Sequence, residues 1–210
     1  MKFSKEIERL KLQIEAKNNI KEIKINKEEE IINQMFLIFK ESELTKKECN
    51  LLYNWINLAN KNINFSLLYS TKIDGDKASS FHKKCDGKSP TITIFKTTNG
   101  CRFGGYTTKP WIKASSLKYF KDEDAFIFSF FHNKKYKIKS ENEDAIGCHE
   151  IRGPSFGYDC QDIYIWEECT QCNDNKCQTP HSYLTTQKSE LTNGDTNFKV
   201  DHYEVYLIDY

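Results

Sequence analysis

The chain has 210 residues, with 31 basic and 30 acidic side chains and a net charge of +1. The balance argues against a dedicated DNA binder, which carries a basic excess. Hydrophobic residues make up 38%, below the usual share for a globular domain, but the 14 Phe, 11 Tyr and 3 Trp supply a core. The longest apolar runs, Met35 to Phe39 and Ala125 to Phe131, fall far short of the ~20 residues that span a bilayer. Residues 1–30 are charged throughout, with no apolar signal-peptide segment. Eight cysteines without that segment point to a reducing, cytoplasmic compartment with free or metal-bound thiols.

Lys2 to Lys40 contains no Gly, Pro or Cys and reads as one long or two shorter helices. Ile7, Leu10 and Ile14 follow a three-then-four spacing, which slips at Asn18, Asn19, Ile23 and Ile25. Ile31, Ile32, Met35, Phe36 and Phe39 resume a stripe. Residues 1–41 are expected to be a helical extension, either a coiled coil or docking segment or a solvated helix packed on its own domain. Thr45 and Glu48 form a capping box for a second helix, whose apolar face would be Leu44, Leu51, Leu52, Trp55 and Leu58, with Trp55 as a core anchor.

From Phe65 the period becomes two. Strands are expected at Ser66–Ser70, Thr91–Lys96, Cys101–Phe103, Ala125–Phe131, Lys135–Lys139, Ile163–Trp166 and Tyr203–Leu207. Asp74-Gly75 marks a turn, and Ala78–Lys84 a short helix with Phe81 inward. Asn99-Gly100 carries the type I′ hairpin signal, and Gly104-Gly105 a bulge or close backbone approach. Tyr106 and Trp111 belong in the core or at a domain edge. Many antiparallel strands with few helices predict an α+β protein: a two-sheet antiparallel β-sandwich flanked by helices.

The sharpest chemical pattern is Cys169-x-x-Cys172-x4-Cys177-x3-His181. Four such ligands within thirteen residues could enclose a structural zinc, with Cys160 as a substitute for His181. The alternatives are a plain loop and a redox pair at Cys169 and Cys172. The redox reading is weakened because the pair follows a strand and does not open a helix. A His82–Cys85 dyad and acid/base roles for His149-Glu150 and Glu167-Glu168 rest on spacing alone. No Gly-x-Ser-x-Gly elbow, Walker loop or His-Glu-x-x-His motif is present.

An ordered series of motifs resembles the TLDc domain. Ser66-Leu67-Leu68-Tyr69-Ser70 with Asp74-Gly75 resembles its leading strand and turn, and Phe81 to Gly87 the helix and loop beside it. Pro90 to Lys96 with Asn99-Gly100 resembles the central hairpin. Phe103-Gly104-Gly105-Tyr106 with Trp111, and Ala125 to Ser129, resemble the next strands. Gly153-Pro154-Ser155-Phe156-Gly157 with Asp162 resembles a segment of protist members. Tyr203-Glu204-Val205-Tyr206 resembles the closing strand. The resemblance covers residues 42–210. It implies a sandwich flanked by helices and a protein-interaction role outside conventional catalysis. Similar proteins are associated with oxidative-stress resistance, and several bind and regulate the vacuolar proton-pumping ATPase. The resemblance implies no catalytic residues; the matching positions would be chiefly structural. The Cys-rich stretch and the amino-terminal helices depart from the family pattern, so zinc would be particular to this chain.

The expected partner is therefore the vacuolar-type ATPase or another large assembly, cytoskeletal or ciliary, with the chain peripheral to a membrane complex or part of a scaffold. No nucleic acid and no membrane insertion are expected. The rival classes are a cysteine-based peroxide-protective protein and a zinc-dependent nucleic-acid binder.

Overall fold

A computed structural model describes residues 2–56, 63–140 and 144–209, without the side chains of residues 2–5 and Cys160. The chain divides into two compact units, residues 1–40 with 44–60 and residues 41–43 with 61–210.

The first unit is helical. Lys2–Ile38 is one helix, α1, and Lys46–Ile56 is α2. The slip at Asn18 does not break α1; it leaves Ile7, Leu10, Ile14, Ile20, Ile23 and Ile25 half exposed or more, while Met35 and Phe39 are buried. The capping box forms: the Thr45 N–H donates to Glu48 Oε2 (2.8 Å) and the Glu48 N–H to Thr45 Oγ1 (3.2 Å). The apolar face of α2 is rotated from expectation. Cys49, Leu52 and Tyr53 are buried at i, i+3 and i+4, whereas Leu51 and Trp55 are half-buried; Leu58 lies outside the described residues.

The second unit is an α+β sandwich. Its elements are β1 (Asn64–Ser70), α3 (Thr71–Asp74), α4 (Ala78–Cys85), β2 (Thr91–Thr97), β3 (Arg102–Thr107), β4 (Lys118–Lys121), β5 (Phe126–Ser129), β6 (Lys134–Lys137), β7 (Asp144–Cys148), β8 (Ser155–Phe156), β9 (Asn175–Lys176), β10 (Asn197–Phe198) and β11 (Val200–Asp209). Among the described residues the sheets are six-stranded in the order β1-β11-β2-β3-β5-β6, three-stranded in the order β4-β7-β8, and a β9-β10 pair. Every ladder is antiparallel.

Register decides which residues meet between the sheets. Thr93 faces Gly105 and Val205, and Gly105 faces Ile127, so these side chains share one face. Phe95, Phe103, Ile127, Tyr203 and Val205 join Ile146, Cys148 and Phe156 of the small sheet in one core. A Cβ on Gly105 would lie inside 3 Å of three ring carbons of Phe156. The opposite face of the large sheet is buried too, at Ile92, Ile94, Phe126, Phe128 and Tyr206. Strand β2 is thus covered on both faces, and its alternation does not separate inside from outside.

Two local expectations are corrected. The β2–β3 hairpin is not type I′: Gly100 has φ +89°, whereas Asn99 keeps a negative φ. The Gly100 N–H donates to the Thr97 carbonyl (2.9 Å), and the Thr97 N–H to Cys101 (3.0 Å). This is a tight turn closed by a glycine bulge. The turn at Asp74-Gly75 is present, at the end of the short helix α3. Ile163–Trp166 forms no strand; it pairs only through single bridges from Ile163 to Phe156 and from Tyr164 to Lys176.

Glu190 shows how the sandwich handles charge. Its carboxylate is 2% exposed and accepts from the Tyr136 hydroxyl (2.8 Å) and the Thr186 and Gln187 amides (2.7 and 3.1 Å). Burial pushes its pKa up, but these donors outweigh burial and bring it to about 2 from 4.5. The folded pKa lies below the unfolded one, so the stabilisation is complete above about pH 4.5 and is lost as pH falls towards 2. It is worth about 3 kcal/mol at neutral pH. Glu190→Gln is expected to lower the urea-unfolding free energy at pH 7 by about 2–3 kcal/mol and to flatten its decline between pH 5 and 2.

Candidate functional site

Many of the side chains singled out by the sequence converge on the sandwich interior. Trp111 is buried, its Nε1–H donates to Thr91 Oγ1 (3.0 Å), and its ring meets Phe156 edge-on at 5.7 Å and Phe81 at 5.6 Å. Phe81, on α4, also meets Tyr69 edge-on at 5.9 Å, and Phe103 packs on Phe95 and Phe198. Asp74 accepts from the Ser70 N–H (3.1 Å) and pairs with Lys84 (2.9 Å), while the Gly75 carbonyl accepts from the Tyr69 hydroxyl (2.5 Å). Asn99 donates from Nδ2 to Asp195 (2.9 Å) beside Gly100. Gly104 lies beside the Thr93 carbonyl and the Phe128 ring, with no room for a side chain. The Gly153 N–H donates to the Ile165 carbonyl (3.0 Å), next to buried Pro154.

Gly157 and Asp162 form a unit. Gly157 has φ +88°, and a Cβ there would collide with the Asp162 carboxylate. That carboxylate is fully buried and accepts from the His181 and Ser182 amides (2.9 and 2.7 Å). Burial raises its pKa against those two donors.

Glu204, at the middle of β11, carries a second buried polar group. It accepts from Ser42, from the Tyr206 hydroxyl (2.5 Å) and from Ser70 Oγ (3.4 Å). Residues 41–43 are also held through Lys96 to Glu43 (2.7 Å) and His202 Nε2 to the Glu41 carbonyl (3.1 Å). Ser42 and Glu204 resemble a nucleophile and base in composition, yet both are buried, leaving a substrate no approach. Their arrangement anchors the chain.

The proposed zinc ligands are not gathered. Among the described residues no group of three or more His, Cys, Asp or Glu side chains could hold a metal ion. Cys169 and Cys177 are fully buried, and Cys172 is half-buried with its thiol near the Glu167 carbonyl (3.9 Å). The His181 ring stacks on Tyr158 at 6.0 Å; the Cys160 side chain lies outside the described residues. The buried Asn175 amide knits the loop instead. It donates to the Cys169 and Phe198 carbonyls (3.0 and 3.2 Å) and accepts from the Trp166 N–H (3.0 Å). The residue types fit zinc; among the described residues no three of them stand within reach of one ion.

Burial disfavours the thiolate form at several cysteines. Burial pushes Cys49 up to about 12, with Glu48 adding to it, and drives Cys85, Cys169 and Cys177 upward as well. His82 does not serve Cys85: its ring nitrogens engage Asp86 (2.8 Å) and the His149 carbonyl (2.9 Å). Glu167 accepts from the Ala78 amide (3.0 Å) at the start of α4.

The ordered motifs agree with comparison to a known family. The TLDc domain model matches residues 37–209. The chain belongs to the TLDc family. It is similar to the MTOR-associated protein MEAK7 of Danio rerio, 24% identical over 150 residues, which cover 67% of this chain and 32% of that protein. It is also similar to TBC1 domain family member 24 of Xenopus tropicalis, 28% identical over 94 residues, covering 43% and 17%. The chain thus spans only a minor part of either relative.

If Asn175 replaces a metal in this TLDc chain, Asn175→Ala is expected to lower stability by about 2–4 kcal/mol, because buried partners lose their bonds. EDTA is expected to leave the melting temperature of the wild-type chain unchanged. A chelator-induced drop would support the zinc reading.

Proposed function

We propose that this chain is a non-enzymatic protein-interaction domain that binds and regulates a vacuolar-type proton-pumping ATPase and contributes to oxidative-stress resistance. The observation that carries this reading is the TLDc match across residues 37–209. The relative named as MTOR-associated supports a role in a larger regulatory assembly. The inward use of Glu204, Asp162 and Glu190 as hydrogen-bond acceptors supports a platform more than a catalyst. The raised thiol pKa values weigh against cysteine-based peroxide chemistry.

A second reading has its own observation. Ile7, Leu10 and Ile14 are half exposed or more on α1, which favours docking of that helix into a cytoskeletal or ciliary scaffold. Among the described residues no helix is long and apolar enough to cross a membrane.

Capture from native lysate, read by mass spectrometry, separates these readings. The baits are the full chain and a variant carrying Ile7→Ser, Leu10→Ser and Ile14→Ser. Recovery of proton-pump subunits by both is the expected outcome. Recovery of another assembly, lost with the variant, would transfer the function to α1. Absence of pump subunits from both baits would overturn the proposal.

A further inference from the structure

Every residue of α1 from Glu6 to Lys27 is exposed. A helix alone in water is marginal, and helices in proteins are held chiefly by packing of an apolar face. The charges of this stretch do not replace that packing. Glutamate supports a helix best with a basic residue four positions later, yet Glu6, Glu8, Glu15 and Glu22 are followed there by Leu10, Leu12, Asn19 and Asn26.

An apolar face is nevertheless present. From Ile7, steps of three, four, four, three and four residues lead through Leu10, Ile14, Asn18 and Lys21 to Ile25. Steps of three, four and four make eleven residues in three turns, which keeps to one side of a nearly straight helix. Ile7, Leu10, Ile14 and Ile25 are each at least 50% exposed. Further along, α1 is taken up by its own unit. Met35 and Phe39 are buried, and Lys46 of α2 lies 5.9 Å over the Phe36 ring. Burial and then the Glu28 carboxylate raise the pKa of Tyr53 on α2. With 11 residues, α2 is too short to cover the 37 of α1, and the stripe before Glu28 stays bare.

We infer that the stripe from Ile7 to Ile25 pairs in parallel with the same stripe of a second copy of the chain, as a two-stranded coiled coil. The charges beside the stripe complement themselves in that arrangement. In a parallel pair, a residue flanking the seam on one side meets a residue five positions later on the other side of the partner helix. Glu6 then meets Lys11, Lys17 meets Glu22 and Lys24 meets Glu29, and two-fold symmetry forms each pair twice. Parallel pairing also sets like residues of the seam side by side. Asn18 meets Asn18, the kind of polar layer that fixes register and two strands. An antiparallel pair centred on the same stripe would set Ile14 against Asn18. Lys21 carries its ammonium past the seam on its apolar stem. The inference is independent of the pump assignment, and it gives to a second copy the face on which the scaffold reading depends.

The test is sedimentation velocity of the full chain over a dilution series. The wild type is expected to sediment as a dimer that dissociates on dilution. Ile7→Ser, Leu10→Ser and Ile14→Ser together are expected to leave a monomer at every concentration. These side chains are exposed, and a near-ultraviolet circular dichroism spectrum like that of the wild type shows that the sandwich is folded. Lys11→Glu is expected to weaken the dimer roughly fivefold, because like charges then meet at positions 6 and 11. Adding Glu6→Lys is expected to bring the affinity back to within about twofold of the wild type. A wild-type chain that is monomeric throughout, or a dimer that survives the three serines, would overturn the inference. A dimer that Glu6→Lys fails to restore would overturn the parallel arrangement. An intact dimer with failed capture of pump subunits would remove the pump assignment alone; a monomer that captures them would remove this inference alone.

Discussion

The sandwich depends on a missing side chain. At Gly105 the backbone of β3 lies bare, and the Phe156 ring of the small sheet rests where a Cβ would stand. Trp111 meets that ring edge-on, Phe81 meets Trp111, and Tyr69 meets Phe81 and then Tyr203 on β11. The series runs through both sheets and takes in α4. Edge-to-face aromatic pairs each add about 0.5–1.5 kcal/mol beyond burial, so losing the first seat would be felt along the series.

This interior leaves its polar groups few uses. Glu204 holds residues 41–43 with Tyr206, Asp162 occupies the space that Gly157 leaves, and Glu190 gathers the donors of residues 186 and 187. Each carboxylate is satisfied by donors from within its own unit, as buried charge requires. What remains for recognition is the surface, where rigid loops present charge at little ordering cost.

The large sheet was legible because β2, β3, β5 and β11 carry β-branched and aromatic runs with clear turns. The capping box at Thr45 and the inward Phe81 were legible from local spacing. The small sheet was not. Strand β4 has Lys at both ends, β7 contains Ala145 and Gly147, and β8 has two residues, so none shows a period-two signal. The cysteine spacing is that of a zinc knuckle, and the bonds of the Asn175 amide across the same stretch could not be read from it.

The most direct test of this account is a double-mutant cycle in urea unfolding with Gly105→Ala, Phe156→Leu and the pair. Gly105→Ala alone is expected to cost about 1–3 kcal/mol by overpacking. The pair is expected to cost less than the sum of the singles by about 1 kcal/mol or more, because the smaller side chain at 156 makes room for the new methyl group. Strictly additive losses would mean that the two sheets do not depend on this contact.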